Sequence, residues 1–298
     1  MGASRGPVPG PRSARTPGRP TPSSPVAGLS PALGKHNPRL ARLRRLVRRE
    51  EPRLTVVDGR KLVLELAEAG TTIEALFVTP ALLAEADRHP RLRMLVESGA
   101  CQVVTPDALD SIAPTQHSQG ILAVVRISEP RLEARGIVLY LDGVQDPGNL
   151  GALVRCAAAL GASGVACSPG CADPFAPRAI RGAAGQSLLF PVAADVEFGP
   201  LAARFLEAGG SVVTTVGQGG QRLADWHPRL PLLLAVGNEG HGISPEVSAA
   251  GTECVSIPLE RGVESLNVAV TAGILLASLG GVAPAPILER VEEKRRAT

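Results

Sequence analysis

From Ile137 to Leu279 the chain alternates short strands with helices, and few folds accept that pattern. Strands are predicted at Ile137–Leu141, Gly164–Cys167, Ser211–Thr215, Leu232–Val236 and Cys254–Ile257, from their β-branched or leucine-rich runs. Leu150–Leu160, Pro177–Gly185, Pro200–Ala208, Pro245–Ala250 and Val268–Leu279 read as helices. Strands joined through helices lie parallel, and a parallel sheet is covered on both faces. The expected fold class is α/β, with a mostly parallel C-terminal sheet. Aromatic residues make up only 2% of the chain, so Leu, Val, Ala and Ile must build the core.

A smaller α/β unit precedes it, from about Leu54 to Ser128. Helical pieces are predicted at Lys61–Ala69, Ala81–Ala86, Arg91–Ser98 and Pro106–Ile112, and strands at Ala75–Val78, Gln102–Val104 and Gly120–Ile127. Ahead of this unit, Asn37-Pro38 offers an N-cap followed by proline at the first helical position. Leu40, Leu43, Leu46 and Val47 then recur at helical spacing, while Arg42, Arg44, Arg45, Arg48 and Arg49 occupy the other face. That face is either simply solvated or set against RNA phosphates. Residues 1–30 are rich in Pro, Gly, Ser and Arg without apolar periodicity, and read as a disordered tail. The organisation is then a tail (1–30), a basic helix (31–50), a small domain (51–128), a linker (129–135), a large domain (136–288) and a charged tail (289–298).

Composition narrows the function. A charge of +3 neither demands nor excludes a nucleic-acid partner, and the scarcity of aromatics argues against base recognition by stacking. Five cysteines, an odd number, without a secretory leader point to a reducing cytoplasm. Cys167 and Cys171 have a metal-like spacing, but no second pair completes four ligands, so no metal is expected. The apolar stretch Val268–Leu279 is too short to span a bilayer and is broken by Thr271 and Gly273, so no membrane is expected either. The glycine fingerprints of dinucleotide and nucleoside-triphosphate sites are missing, which disfavours a nicotinamide-dependent oxidoreductase.

Three strand ends of the large domain concentrate polar residues where α/β proteins bind ligands. The first runs from Asp142 to Gly151; its Asn149 fits an N-cap, and its glycines permit close backbone approach. Arg155 follows inside an otherwise apolar helix, where an arginine needs a partner, an anion or an escape to the helix edge. The second is Gly237-Asn238-Glu239-Gly240-His241-Gly242. Glu239 either pairs with Arg155 or sits in a solvated turn; His241 has no neighbours to complete a catalytic or metal set. The third runs from Ile257 through Ser265-Leu266-Asn267 into an Ala-rich helix. Helix capping accounts for one of Ser265 and Asn267 but not easily for both.

Together, Asp142–Gly161, Leu233–Ser244 and Ser256–Leu276 resemble the three signature motifs of the SpoU (TrmH) family of RNA ribose 2′-O-methyltransferases, in the SPOUT superfamily. The resemblance covers Gly136 to about Leu279. Through Val57-Asp58-Gly59-Arg60 and Gln119–Val125, the small domain resembles the family's L30e-like RNA substrate-binding domain. The resemblance implies S-adenosyl-L-methionine as cofactor, a deep C-terminal trefoil knot and an obligate homodimer whose sites are completed across the interface. It implies cofactor contacts from Gly237, Ile257 and Leu266, with Thr215 and Gly217 at the end of a further cofactor-side strand. It also implies a catalytic set of Asn149, Arg155, Glu239, Ser265 and Asn267, with the helix from Asn267 onward threaded through the knot. Candidate RNA contacts are Arg42, Arg45, Arg49 and Arg60. The expected activity is 2′-O-ribose methylation of structured RNA, with 23S ribosomal RNA favoured by the small domain and basic helix. The alternatives are a transfer-RNA 2′-O-methyltransferase and an RNA-binding module without catalysis.

Overall fold

The computed structural model describes residues 31–86, 88–97, 101–114, 118–238 and 240–280. The tails expected at 1–30 and 289–298 lie outside the described residues. The N-terminal unit contains α1 (Pro38–Val47), β1 (Leu54–Asp58), α2 (Arg60–Glu68), β2 (Ile73–Val78), α3 (Pro80–Ala86), α4 (Pro90–Glu97), β3 (Cys101–Val103), α5 (Pro106–Asp110) and β4 (Ile121–Arg126). Its four strands are ordered β1-β4-β2-β3, antiparallel except for β2 with β3. Asn37 caps α1, its side chain accepting the Arg39 N–H at 3.0 Å. Leu40, Leu43 and Leu46 are buried with Leu54, Val56 and Phe77. At roughly 2 kcal/mol for each buried leucine, this packing makes α1 a wall of the domain rather than a separate arm. Val63, Leu66, Leu82 and Leu92 cover the opposite face of the sheet. Strand β1 escaped the sequence pattern because Leu54–Val57 is buried on both sides and shows no alternation.

The C-terminal unit contains β5 (Ile137–Asp142), α6 (Pro147–Ala159), β6 (Gly164–Cys167), α7 (Pro177–Gly182), α8 (Gln186–Leu189), β7 (Val192–Ala193), α9 (Phe198–Glu207), β8 (Ser211–Thr215), β9 (Gln221–Arg222), β10 (Leu232–Gly237), α10 (Pro245–Ala250), β11 (Glu253–Ser256) and α11 (Val268–Ser278). Its seven strands are all parallel, in the order β7-β6-β5-β10-β8-β11-β9. Alternate residues of β5 feed opposite cores, as period-two strand geometry requires. Ile137, Leu139 and Leu141 pack with Leu150, Leu153 and Val154 of α6 and Ala272, Leu275 and Leu276 of α11. Val138 and Tyr140 pack with Phe198, Leu201 and Phe205 of α9.

The helix expected over Pro177–Gly185 ends at Gly182, and a further short helix, α8, starts beyond it at Gln186. Ala184 (φ 49°) and Gly185 (φ 85°) turn the chain through the left-handed region between α7 and α8. The edge strands β7 and β9 have two residues each, too few to leave a pattern in the sequence.

Candidate active site

A cleft of about 260 Å³ opens at the carboxyl ends of β8, β10 and β11. Thr215, Gly217, Gly237, Ile257 and Leu266 all line it, although they come from three separate strand exits. Ser265 lines it too. Its apolar wall is extended by Ile243, Leu259 and Leu275, which the sequence reading passed over.

The loop after β10 is built around Asn238. Its backbone exchanges two hydrogen bonds with Gly242, at 2.9 and 2.8 Å. Its side-chain oxygen accepts the Gly240 and His241 N–H groups at 2.7 and 3.3 Å, and its amide donates to the Gly143 carbonyl at 2.7 Å. Buried Asp142 accepts the Ser244 N–H at 2.6 Å. Asp142 and Asn238 therefore fasten the first and second strand ends together. The signal in the sequence was an Asx residue entering a glycine turn. Gly237 meets the returning chain so closely that a Cβ there would overlap the backbone of Gly242 and Ile243.

Two helix starts converge at this end of the sheet. Asp146 caps α6, accepting the Asn149 N–H at 2.9 Å, and is held from behind by the Arg178 guanidinium at 3.0 Å. The Asn149 backbone N–H, with Arg178 adding to it, keeps the Asp146 carboxyl below its ordinary range. The N-cap of α6 is thus Asp146, not Asn149; Pro147 at the first position shifts the helix start upstream. Asn267 caps α11, accepting from Ala269 and Val270 at 2.9 and 3.3 Å, while its amide donates to the Asn149 side-chain oxygen at 3.0 Å.

Arg155 lies on the exposed side of α6, so the local cost of an arginine in an apolar helix does not arise. It makes no ion pair among the described residues, and Glu239 lies outside them. Of the candidate RNA contacts, Arg45 is exposed, Arg42 pairs with Glu51 at 2.8 Å and Arg60 with Glu85 at 3.2 Å. Arg49 faces inward. Its guanidinium bonds Asp173 at 2.6 Å and the Pro52 carbonyl at 2.8 Å, and also meets the Leu54 carbonyl. Among the described residues no three His, Cys, Asp or Glu side chains gather to hold a metal ion, and no helix is long and apolar enough to cross a membrane.

Residues 136–277 match the SpoU rRNA methylase family, and residues 37–123 match an MRM3-like substrate-binding domain. The chain is 31% identical over 227 residues to the 23S rRNA (guanosine(2553)-2′-O)-methyltransferase of Bacillus subtilis, covering 76% of this chain and 88% of that relative. The chain belongs to the SpoU rRNA methylase family. Membership makes it an RNA methyltransferase of the SPOUT superfamily. A second relative, an uncharacterised tRNA/rRNA methyltransferase of Synechocystis, is 35% identical over 196 residues, 64% of this chain and 71% of the relative. Among solved structures, the AdoMet-bound rRNA methyltransferase of Sinorhizobium meliloti superposes with a TM-score of 0.70 at 26% identity, over 81% of this chain and 94% of that one.

Proposed function

We propose that this SpoU protein transfers a methyl group from S-adenosylmethionine to a ribose 2′-hydroxyl of structured RNA, with 23S ribosomal RNA as the favoured substrate. The observation that carries the reading is the convergence of three strand exits on one cleft, with the Asn149–Asn267 pair beside it. The cleft fits the cofactor: apolar walls from Ile257, Leu259 and Leu266 suit adenine, and the strand-exit backbone at Gly217 and Gly237 in its lining supplies polar partners. Bound there, S-adenosylmethionine supplies a methyl already activated by its sulfonium. The protein's own task is to place the 2′-oxygen in line with it.

Arg155, exposed at the surface of α6, is suited to grip the phosphate beside the target ribose and to stabilise charge developing on the 2′-oxygen. A guanidinium stays protonated in proteins, which favours this role over that of general base. Asn149 and Glu239 orient it, while Ser265 and Asn267 shape the nucleotide site. Arg42, Arg45 and Arg60 extend the RNA surface onto the N-terminal domain; Arg49 is left out because its guanidinium is turned inward.

The same reading includes the trefoil knot, with α11 as the threaded segment, a cytoplasmic enzyme and a homodimer. Support for the dimer comes from α11, a mostly apolar helix that leaves Val270 and Ile274 49% and 37% exposed. The resemblance of the N-terminal unit to a substrate-binding domain and the ribosomal relative favour ribosomal over transfer RNA.

The test is methyl transfer from labelled cofactor to purified ribosomal and transfer RNA, with the position mapped by primer extension at low nucleotide concentration. A single stop within 23S RNA is expected. Label on transfer RNA alone would remove the ribosomal assignment; tight RNA binding without turnover would leave a binding module.

A further inference from the structure

The two domains are joined by more than a linker. Thr55, buried in β1, donates its hydroxyl to the Phe175 carbonyl at 2.8 Å. Arg49, at the end of α1, bonds Asp173 at 2.6 Å with only 12% of its side chain exposed. Asp173 in turn receives the Phe175 N–H at 2.8 Å, so the contact loop is closed on itself. Leu188 of α8 packs against both domain cores, and Gly185 sits so tightly on Leu62 of α2 that a Cβ there would overlap it. Even in the linker, Leu132 is buried and its carbonyl accepts from Arg204 at 2.5 Å.

The same segment grips the reactive helix from its other side. Gly151 of α6 lies against the backbone of Ala179, Gly182 and Ala183, closer than any side chain would allow. Arg178 of α7 holds the Asp146 cap of α6. One short stretch of chain therefore touches the N-terminal domain on one side and the helix bearing Asn149 and Arg155 on the other.

We propose that residues 173–189 form a rigid spacer that determines which ribose of a bound RNA is methylated, with Thr55, Arg49 and Asp173 as positioning residues. The inference rests on the RNA-methyltransfer reading above. An RNA held by the N-terminal domain is then presented to α6 at one fixed offset. Freedom between the domains would let neighbouring riboses reach the site, and misplacement by about 1 Å already costs roughly 10²-fold in rate.

The experiment compares the wild type with a Thr55→Val, Asp173→Asn double variant on the ribosomal RNA that the wild type modifies. Asp173→Asn keeps an acceptor for the Phe175 N–H while removing the charge that faces Arg49. The expected result is a broadened interdomain distance in spin-label measurements and a loss of at least tenfold in kcat/KM. Methyl marks should spread to adjacent riboses while cofactor affinity stays unchanged, and Thr55→Ser alone should keep the wild-type pattern. A broadened distance with one unchanged mark at wild-type rate overturns the proposal, as does an unbroadened distance. A loss of cofactor affinity in proportion to rate overturns it too, since that marks general damage to the site. Wild-type protein that methylates no RNA would instead defeat the reading beneath it.

Discussion

The side-chain amide of Asn267 donates to the side-chain oxygen of Asn149 at 3.0 Å, across 118 positions of sequence. The same Asn267 caps α11 through its oxygen. The two jobs use different atoms and separate by substitution. Asn267→Asp keeps the capping oxygen but cannot donate to Asn149, so Tm should stay close to wild type while methyl transfer falls about tenfold, the scale of one lost hydrogen bond. Asn267→Ala should lose both, with about 1 kcal/mol of stability going with the cap. Thermal melts beside turnover numbers decide it. Undiminished turnover in Asn267→Asp would mean that the Asn149 contact is idle.

Gly237→Ala tests the cleft. A methyl group there would be driven into the backbone of Gly242 and Ile243, which cannot yield without opening the Asn238–Gly242 turn. The expected outcome is cofactor binding weakened at least tenfold in calorimetry, with a stability loss of about 1–3 kcal/mol from overpacking. Undiminished cofactor affinity would place the ligand elsewhere.

Much of this architecture was legible in the residues. The parallel domain announced itself because Leu232–Val236 and Ile137–Leu141 are continuous apolar runs, and such runs separated by helices leave few topologies. Helix α1 was legible down to its cap. Strand β1 was not, since burial on both faces erases alternation, nor was the break at Ala184–Gly185, since alanine seldom turns left-handed. At the site, resemblance pointed to the residues lining the cleft, but only the fold shows Asn149 and Asn267 touching, or Asp146 taking the cap from Asn149. Arg49 shows the limit most clearly. Its spacing puts it with the solvated arginines of α1, yet it follows the helix at φ 62° and turns its guanidinium inward to Asp173.

Arg155→Ala should abolish methyl transfer while leaving cofactor affinity within about twofold, because the residue lies outside the cleft lining. Arg155→Lys keeps the charge but not the two-pronged geometry, so a partial activity is expected, reduced at least tenfold. Full activity in the lysine variant would reduce the role to a simple positive charge, and full activity in the alanine variant would remove Arg155 from the chemistry.

The cysteines should differ sharply in reactivity. Burial pushes the Cys101 thiol up to about 11 and Cys167 well above its ordinary value, whereas Cys254 is exposed. The thiolate is the nucleophile, so maleimide at neutral pH should modify Cys254 within minutes and leave Cys101 and Cys167 intact until the protein unfolds. Mass spectrometry of the labelled peptides reads the order directly. Early modification of Cys167 would mean that the sheet opens at β6 in the native state.

The Asp146 cap makes a prediction about pH. The Asn149 backbone N–H, and behind it Arg178, hold this carboxyl below its ordinary range, so the charged form is the one that folding favours. Its contribution is fully present above the unfolded pKa of about 3.9 and is lost as pH falls through the lower folded value. Asp146→Asn retains an acceptor for the Asn149 N–H but carries no charge toward Arg178. The Tm gap between wild type and this variant should therefore be constant from about pH 5 upward and close below about pH 4, where the wild-type carboxyl is itself neutralised. Scanning calorimetry across that range measures the gap. A gap that persists undiminished into strong acid would show that the stabilisation comes from side-chain shape rather than charge, and would detach Arg178 from the positioning of α6.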